Sequence, residues 1–176
     1  MRRLERSVPS GHRALGVLGA IMLAAGLIGA DGAASAQDQS AATPKDTIFA
    51  RKILMDTVGM NMDELEGMTG SPMPIDMDEA HEHADIVSVL LQVFPYVFPP
   101  GTNQWKPGVV GRDPGTDTYA SPDVWTSFSD FYKRASDASA LAFKASRANT
   151  EGEFRGYMAQ LRQACDGCHA RYQKTE

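Results

Sequence analysis

Two cysteines and a histidine near the end of the chain are the residues best suited to chemistry. Cys165-Asp166-Gly167-Cys168-His169 contains the only two cysteines of the 176-residue chain, and the histidine follows the second one directly. A Cys-x-x-Cys-His sequence is the attachment signature of a c-type haem. Its two thiols can bond to one edge of a porphyrin while the imidazole binds the iron. The motif therefore predicts one covalently bound haem c, with His169 as an iron ligand.

Helical geometry would bring the three side chains together. On an α-helix of 3.6 residues per turn, Cys168 lies three residues and His169 four residues after Cys165, so all three share one face. Apolar residues continue this face at helical spacing: Phe154, Met158, Leu161 and Tyr172. The sequence thus predicts that the haem rests on a hydrophobic surface of a C-terminal helix.

Three other interpretations of the cysteine pair remain open at this point. The pair could be a redox-active dithiol, half of a zinc site or a structural disulfide. A dithiol motif usually opens a helix after a strand, and no strand-like stretch precedes Leu161. A zinc site would need two more ligands, and His81 and His83 are two residues apart, which on a helix points them in different directions. Haem attachment is the favoured interpretation.

The first 36 residues have the pattern of a secretory signal peptide. Four arginines precede an apolar run over residues 14–30, and Ala34-Ser35-Ala36 is a small-x-small cleavage site. An uncleaved membrane anchor is the alternative, but the apolar run is short for a span. We therefore expect cleavage after Ala36, export to the periplasm and no stable membrane insertion.

The remaining chain, residues 37–176, is long enough for one domain with one core. Residues 1–36 hold four arginines and two acidic residues, so their removal takes the formal net charge from -5 to -7. An acidic surface argues against nucleic acid as a partner. It favours a basic partner protein.

Helix start and stop signals divide this domain into four amphipathic segments. Thr43-Pro44 opens the first, which should end near Gly67, and Asp76 caps the second. Residues 121–123 open the third, and Thr150 with Glu153 forms a capping box for the fourth. Residues 95–120 hold five prolines and four glycines without a helical period. The pattern predicts an all-α, antiparallel four-helix bundle with a long connection between helices 2 and 3.

The first helix carries two further candidate site residues. Arg51 lies four residues before Met55 on an otherwise apolar face, where a charge needs a partner such as a haem propionate. Met55 could then present its thioether to the iron. Spacing alone leaves open that Arg51 reaches solvent and that Met55 is core filler. Met60, Met62 and Met158 are also candidate ligands.

Several segments resemble the class II cytochromes c, the cytochrome c-prime family. They are residues 50–62, Pro122-Asp123-Val124-Trp125 after the 98–102 crossover, and the C-terminal motif with Tyr172. The resemblance implies a four-helix bundle with covalent haem in its last helix. It further implies low-spin histidine–methionine ligation by His169 and Met55, with Arg51 contacting a propionate.

These features lead to a functional expectation and one alternative. We expect a soluble periplasmic electron carrier, not an enzyme, that exchanges single electrons with redox partner proteins. The alternative is a high-spin protein that binds nitric oxide or carbon monoxide at an open sixth site roofed by Met55. The sequence leaves open whether two copies pair as a homodimer.

Overall fold

The computed structural model describes residues 42–103, 105–108 and 117–174. Within these residues there are five α-helices and no strand: α1 (Pro44–Gly70), α2 (Met77–Val93), α3 (Asp123–Thr126), α4 (Phe128–Ala145) and α5 (Glu151–Tyr172). A 3-10 turn, Phe94–Val97, follows α2, and an isolated antiparallel bridge joins Ala120 to Gln173. The signal peptide expected over residues 1–36 lies outside the described residues and stays a prediction.

The four long helices α1, α2, α4 and α5 form a four-helix bundle. Helix α2 packs against both α1 and α4, and α4 packs against α5. Residues 94–122 connect α2 to α3, and we refer to this connection as the crossover. The predicted all-α bundle with a long second connection is therefore confirmed. Among the described residues, none of the helices combines the length and apolarity needed to cross a membrane.

Local capping sets the start of α1, α2 and α5, as the sequence predicts. At α1 the Thr43 hydroxyl accepts from the Asp46 amide at 3.2 Å, and the Asp46 carboxylate accepts from the Thr43 amide at 3.0 Å. At α5 the Thr150 hydroxyl accepts from the Glu153 amide at 3.2 Å, but the Glu153 carboxylate accepts from the Asn149 amide. The reciprocal half of the second capping box is thus shifted by one residue.

The third predicted helix is broken in two, which corrects the expectation of one continuous segment from residue 121. Ser127 separates α3 from α4 with φ -127° and ψ 39°, outside the helical region. Tertiary contacts hold the short first piece in place: the Trp125 indole donates to the Pro99 carbonyl at 3.2 Å, and Val124 is buried in a cluster with Phe98. These contacts to the crossover override the helical period of the local sequence.

Two apolar clusters fill the interior. The larger one lies within the bundle and includes Leu65, Val87, Phe154 and Leu161, all fully buried. The smaller one is aromatic and lies where the crossover, α3 and α4 meet the end of α5; it consists of Phe98, Val124, Phe131 and Tyr172. Because α5 contributes to both clusters, its C-terminal half is held on two sides.

Candidate functional site

A cavity of about 790 Å³ lies between α1, α4, α5 and the crossover. Its walls contain all five residues that the sequence singled out: Arg51, Met55, Cys165, Cys168 and His169. The volume is typical of a cofactor pocket. Most of the other lining side chains are apolar, among them Ile48, Val58, Met62, Leu91, Phe98 and Val124. We refer to this cavity as the cleft.

The two thiols are free and half-buried in the wall formed by α5. Burial raises the pKa of Cys165, and burial together with the neighbouring Cys165 raises the pKa of Cys168 to about 11. Both thiols are therefore protonated at neutral pH, whereas a redox-active dithiol depends on a lowered pKa. Among the described residues, no group of three or more His, Cys, Asp or Glu side chains is placed to hold a metal ion. The dithiol and zinc interpretations find no support here.

His169 is half-buried beside the thiols, four residues after Cys165. Burial lowers the pKa of its imidazole, and the nearby Arg162 guanidinium lowers it further. Both effects disfavour the imidazolium. The neutral ring that results is the form that coordinates iron.

Arg51 is a buried cation in the wall formed by α1, with only 5% of its surface exposed. Its Nη2 donates to the Thr102 carbonyl at 3.1 Å, and its guanidinium lies over the rings of Phe98 and Trp125, at 4.6 and 5.6 Å from their centroids. Its Nη1 is buried with no hydrogen-bond partner among the described residues. Burial lowers the pKa of Arg51 to about 10, so the group still carries its charge at pH 7.

Methionine is available at two positions of the cleft wall. Met55 lies one turn after Arg51, is partly buried and packs against the larger core cluster. Met62 also lines the cleft and is buried. The other two candidates are placed differently, because Met60 is 70% exposed and Met158 is buried in the larger cluster.

Two arginines beside the motif were not anticipated from the sequence. Arg162 lines the cleft and bonds to Asp166 at 3.0 Å and to Glu66 at 3.2 Å. Arg134, on α4, also lines the cleft and donates through Nε to Asp130 at 2.8 Å. The i,i+4 spacing of Arg162 with Asp166 and of Asp130 with Arg134 predicts both ion pairs from the sequence. That α1 and α4 approach the motif closely could not be predicted, because it depends on the fold.

The two histidines of α2 serve local structure and do not line the cleft. His81 Nε2 lies 3.0 Å from the Ala148 carbonyl, and His83 Nδ1 lies 2.8 Å from the Asn61 side-chain oxygen. Each histidine therefore ties α2 to a neighbouring segment.

A family model described as Cytochrome C' matches residues 46–173. The chain belongs to the cytochrome c' family. It is similar to cytochrome c-554 of Cereibacter sphaeroides, with 29% identity over 132 residues that cover 73% of this chain and 93% of that protein. It is also similar to cytochrome c' of Pararhodospirillum photometricum, with 27% identity over 137 residues that cover 76% of this chain and 100% of that protein.

Solved structures of cytochrome c' share the fold. The crystal structure of cytochrome c' from Thermochromatium tepidum has a TM-score of 0.65 to this chain at 20% identity, with 76% of this chain and 98% of that chain covered. Family membership implies covalently bound haem c, which the motif also predicts. The methionine-ligated subtype stays a prediction.

The residues of the cleft fit haem c. The cleft has the volume of a cofactor pocket, its half-buried thiols stand beside a neutral imidazole, and its α1 wall presents a buried cation whose Nη1 lacks a partner among the described residues. A carboxylate such as a propionate would satisfy that cation through a charge-assisted hydrogen bond. The site thus has a donor for the iron, two attachment points and a counter-charge.

Proposed function

We propose that this protein holds one haem c in the cleft and uses the side opposite His169 to bind a small gas, nitric oxide or carbon monoxide, without turning over a substrate. Cys165 and Cys168 would be the thioether attachment points and His169 the proximal iron ligand. The observation that carries the proposal is the cleft itself, which is lined by these three residues of α5 and by apolar side chains of α1 such as Ile48, Val58 and Met62. Haem iron supplies a redox-active centre that can bind diatomic gases.

The residues of α1 define the gas side of the proposed site. Ile48, Val58 and Met62 present buried apolar surface to the cleft, which favours a small uncharged ligand over water or an anion. Met55 packs against the larger core cluster in the same wall, and we assign it the role of a roof. A variant of cytochrome c' from Alcaligenes xylosoxidans, 17% identical to this chain with a TM-score of 0.63, has been solved as a nitric oxide complex.

Arg51 would hold the porphyrin from this same wall. Its Nη2 already donates to the Thr102 carbonyl, whereas Nη1 is buried and has no partner within the part of the chain that the structure describes. A propionate at Nη1 would neutralise the buried cation and complete its hydrogen bonding. This contact would also fix the porphyrin relative to the crossover.

Electron transfer with Met55 as the sixth ligand is the second candidate function. It is favoured by one observation: Met55 lines the cleft one helical turn from Arg51, so a thioether from α1 borders the same cavity as His169. In this case the protein would exchange electrons with a redox partner in the periplasm. The two candidates differ in whether the iron has a free coordination position.

Absorption spectroscopy of the exported protein tests the proposal. Haem that stays with the polypeptide after denaturation, and is lost from a C165S/C168S variant, would support covalent attachment through these thiols. A ferric spectrum with a weak long-wavelength sulfur-to-iron band, abolished in M55L but kept in M62L, would overturn the open-site proposal in favour of electron transfer. An unchanged five-coordinate spectrum in M55L would support it.

We propose further that two copies pair as a homodimer through the outer face of α2. Ile86, Val89 and Val93 are exposed at three- and four-residue spacing, opposite the buried face of this helix, and the exposed Tyr96 follows in the 3-10 turn. One solved cytochrome c' is described as having ligand-controlled dimer dissociation. Sedimentation of V89D beside M60D, which alters an exposed residue of α1, tests the assignment: only V89D should give a lighter species, and equal masses would contradict it.

A further inference from the structure

Asp130 links α4 to the helix that carries the haem-attachment motif. The Tyr172 hydroxyl donates to its carboxylate at 2.6 Å, and Arg134 Nε donates to the same oxygen at 2.8 Å. Arg171 approaches this oxygen at 3.6 Å. The bond from Tyr172, followed by that from Arg134, lowers the pKa of Asp130, so the carboxylate is ionised at neutral pH.

This link places the Arg134 guanidinium beside the motif. Arg134 lines the cleft together with Cys168 and His169. Its Nη1 lies 3.8 Å from the position that a Cβ would take on Gly167, between the two cysteines. Because Nε is held by Asp130 and Asp130 is held by Tyr172, the guanidinium is kept next to the motif. A bond through Nε also restricts the orientation of the whole planar group.

The two sides of the motif carry opposite local charge. On one side a single carboxylate, Asp130, faces two guanidinium groups, Arg134 and Arg171, which leaves one positive charge. On the other side Arg162 faces two carboxylates, Glu66 and Asp166, which leaves one negative charge. The remaining charged side chains of the cleft wall lie on α1: Arg51, Lys52, Asp56 and Asp63. Arg134 thus shares its one carboxylate partner, Asp130, with Arg171, whereas Arg162 has two carboxylate partners of its own.

We propose that the charge of Arg134 raises the reduction potential of the haem iron, its guanidinium held beside the motif by Asp130 and Tyr172. Ferric haem carries one more positive charge than ferrous haem, so a nearby cation destabilises the ferric form and raises the potential. This inference rests on the covalent haem of the proposed function. It does not depend on which ligand, if any, occupies the side opposite His169.

Spectroelectrochemical titration of the haem-loaded protein tests this role, with R134Q and K133Q as a matched pair. Both variants remove one positive charge from adjacent positions of α4, but Lys133 is exposed and pairs with Asp137 at the surface. We expect a lower midpoint potential in R134Q than in K133Q, and a return toward the wild-type value in R134K, which retains the charge. Equal midpoint potentials in R134Q and K133Q would overturn the proposal.

A second variant covers the case in which R134Q does not accumulate with haem. R134M removes the same charge with a side chain that needs no hydrogen-bond partner, and K133M is its matched control at the exposed neighbouring position. We expect a lower midpoint potential in R134M than in K133M, and equality would contradict the proposal. A protein with covalent haem that fails to bind carbon monoxide would refute the gas-binding function without affecting this comparison.

Discussion

Arg51 and Thr102 are 51 residues apart in the chain, and the Arg51 Nη2 group donates a 3.1 Å hydrogen bond to the Thr102 carbonyl. This bond joins α1 to the crossover, and Phe98 and Trp125 stack against the same guanidinium. The cleft is therefore bounded on this side by one cation that holds three segments together. Its Nη1 still lacks a partner among the described residues, which makes Arg51 a structural residue as well as a candidate ligand contact.

Replacing Arg51 with alanine should destabilise the haem-loaded protein by about 1–3 kcal/mol. The substitution leaves the Thr102 carbonyl without its partner and removes the packing of the guanidinium on two rings. Denaturant unfolding followed by circular dichroism measures the change. K144A, which alters an exposed lysine of α4, is the control, and an equal effect of the two variants would contradict this role.

Removing the Tyr172 hydroxyl should lower the free energy of unfolding at pH 6 but have little effect at strongly acidic pH. The hydrogen bond to Asp130 lowers the pKa of that carboxyl below its ordinary value of 3.8. Its stabilisation is therefore present above pH 3.8 and is lost as the pH falls through the lower, folded-state value. We expect Tyr172→Phe to be less stable than wild type at pH 6 and the difference to shrink below pH 3.8. A difference that grows on acidification would be inconsistent with the observed bond.

Loss of the cap of α5 should destabilise the helix that carries the motif. The Thr150 hydroxyl accepts from the Glu153 amide at 3.2 Å, and an N-cap threonine contributes about 1 kcal/mol, with a range of roughly 0.5–2. Thr150→Ala should lower the free energy of unfolding by this amount. Thr69→Ala removes a hydroxyl near the end of α1 and should have a smaller effect. Equal losses of stability in Thr150→Ala and Thr69→Ala would contradict the role of Thr150 as the N-cap of α5.

Truncation of Leu161 should be among the most destabilising single changes. The side chain is fully buried in the larger core cluster, and leucine-to-alanine changes at such sites typically lower stability by about 2–5 kcal/mol. Leu141→Ala is the matched control because Leu141 is only partly buried at the edge of the same cluster. A larger loss in Leu141→Ala than in Leu161→Ala would contradict the assignment of the core.

The parts of the fold that follow from local chemistry were predictable. The caps at Thr43, Asp76 and Thr150 are encoded within four residues, and each helix begins where its cap predicts. The break at Ser127 was not predictable. It depends on Val124 and Trp125 contacting a crossover that is distant in sequence.

The candidate site shows the same division. Helical spacing was sufficient to place Cys165, Cys168 and His169 on one face. The charge of Arg51 on an otherwise apolar face of α1 was sufficient to predict that this residue contacts a partner at the site. The surroundings of Arg134 could not be inferred in this way, because Tyr172 lies 42 residues from Asp130 in the chain and meets it only through the packing of α4 on α5. Spacing also could not decide between the roles of Met55 as roof and as ligand.

The kinetics of carbon monoxide binding to the ferrous protein test the central claim most directly. If the side opposite His169 is open, the observed rate should rise linearly with carbon monoxide concentration, with one gas molecule bound per haem, and M55L should behave similarly. If Met55 is an iron ligand, binding should be absent or should level off at a rate independent of gas concentration in wild type, while M55L binds without this limit. The second result would contradict the gas-binding function and establish Met55 as the sixth ligand.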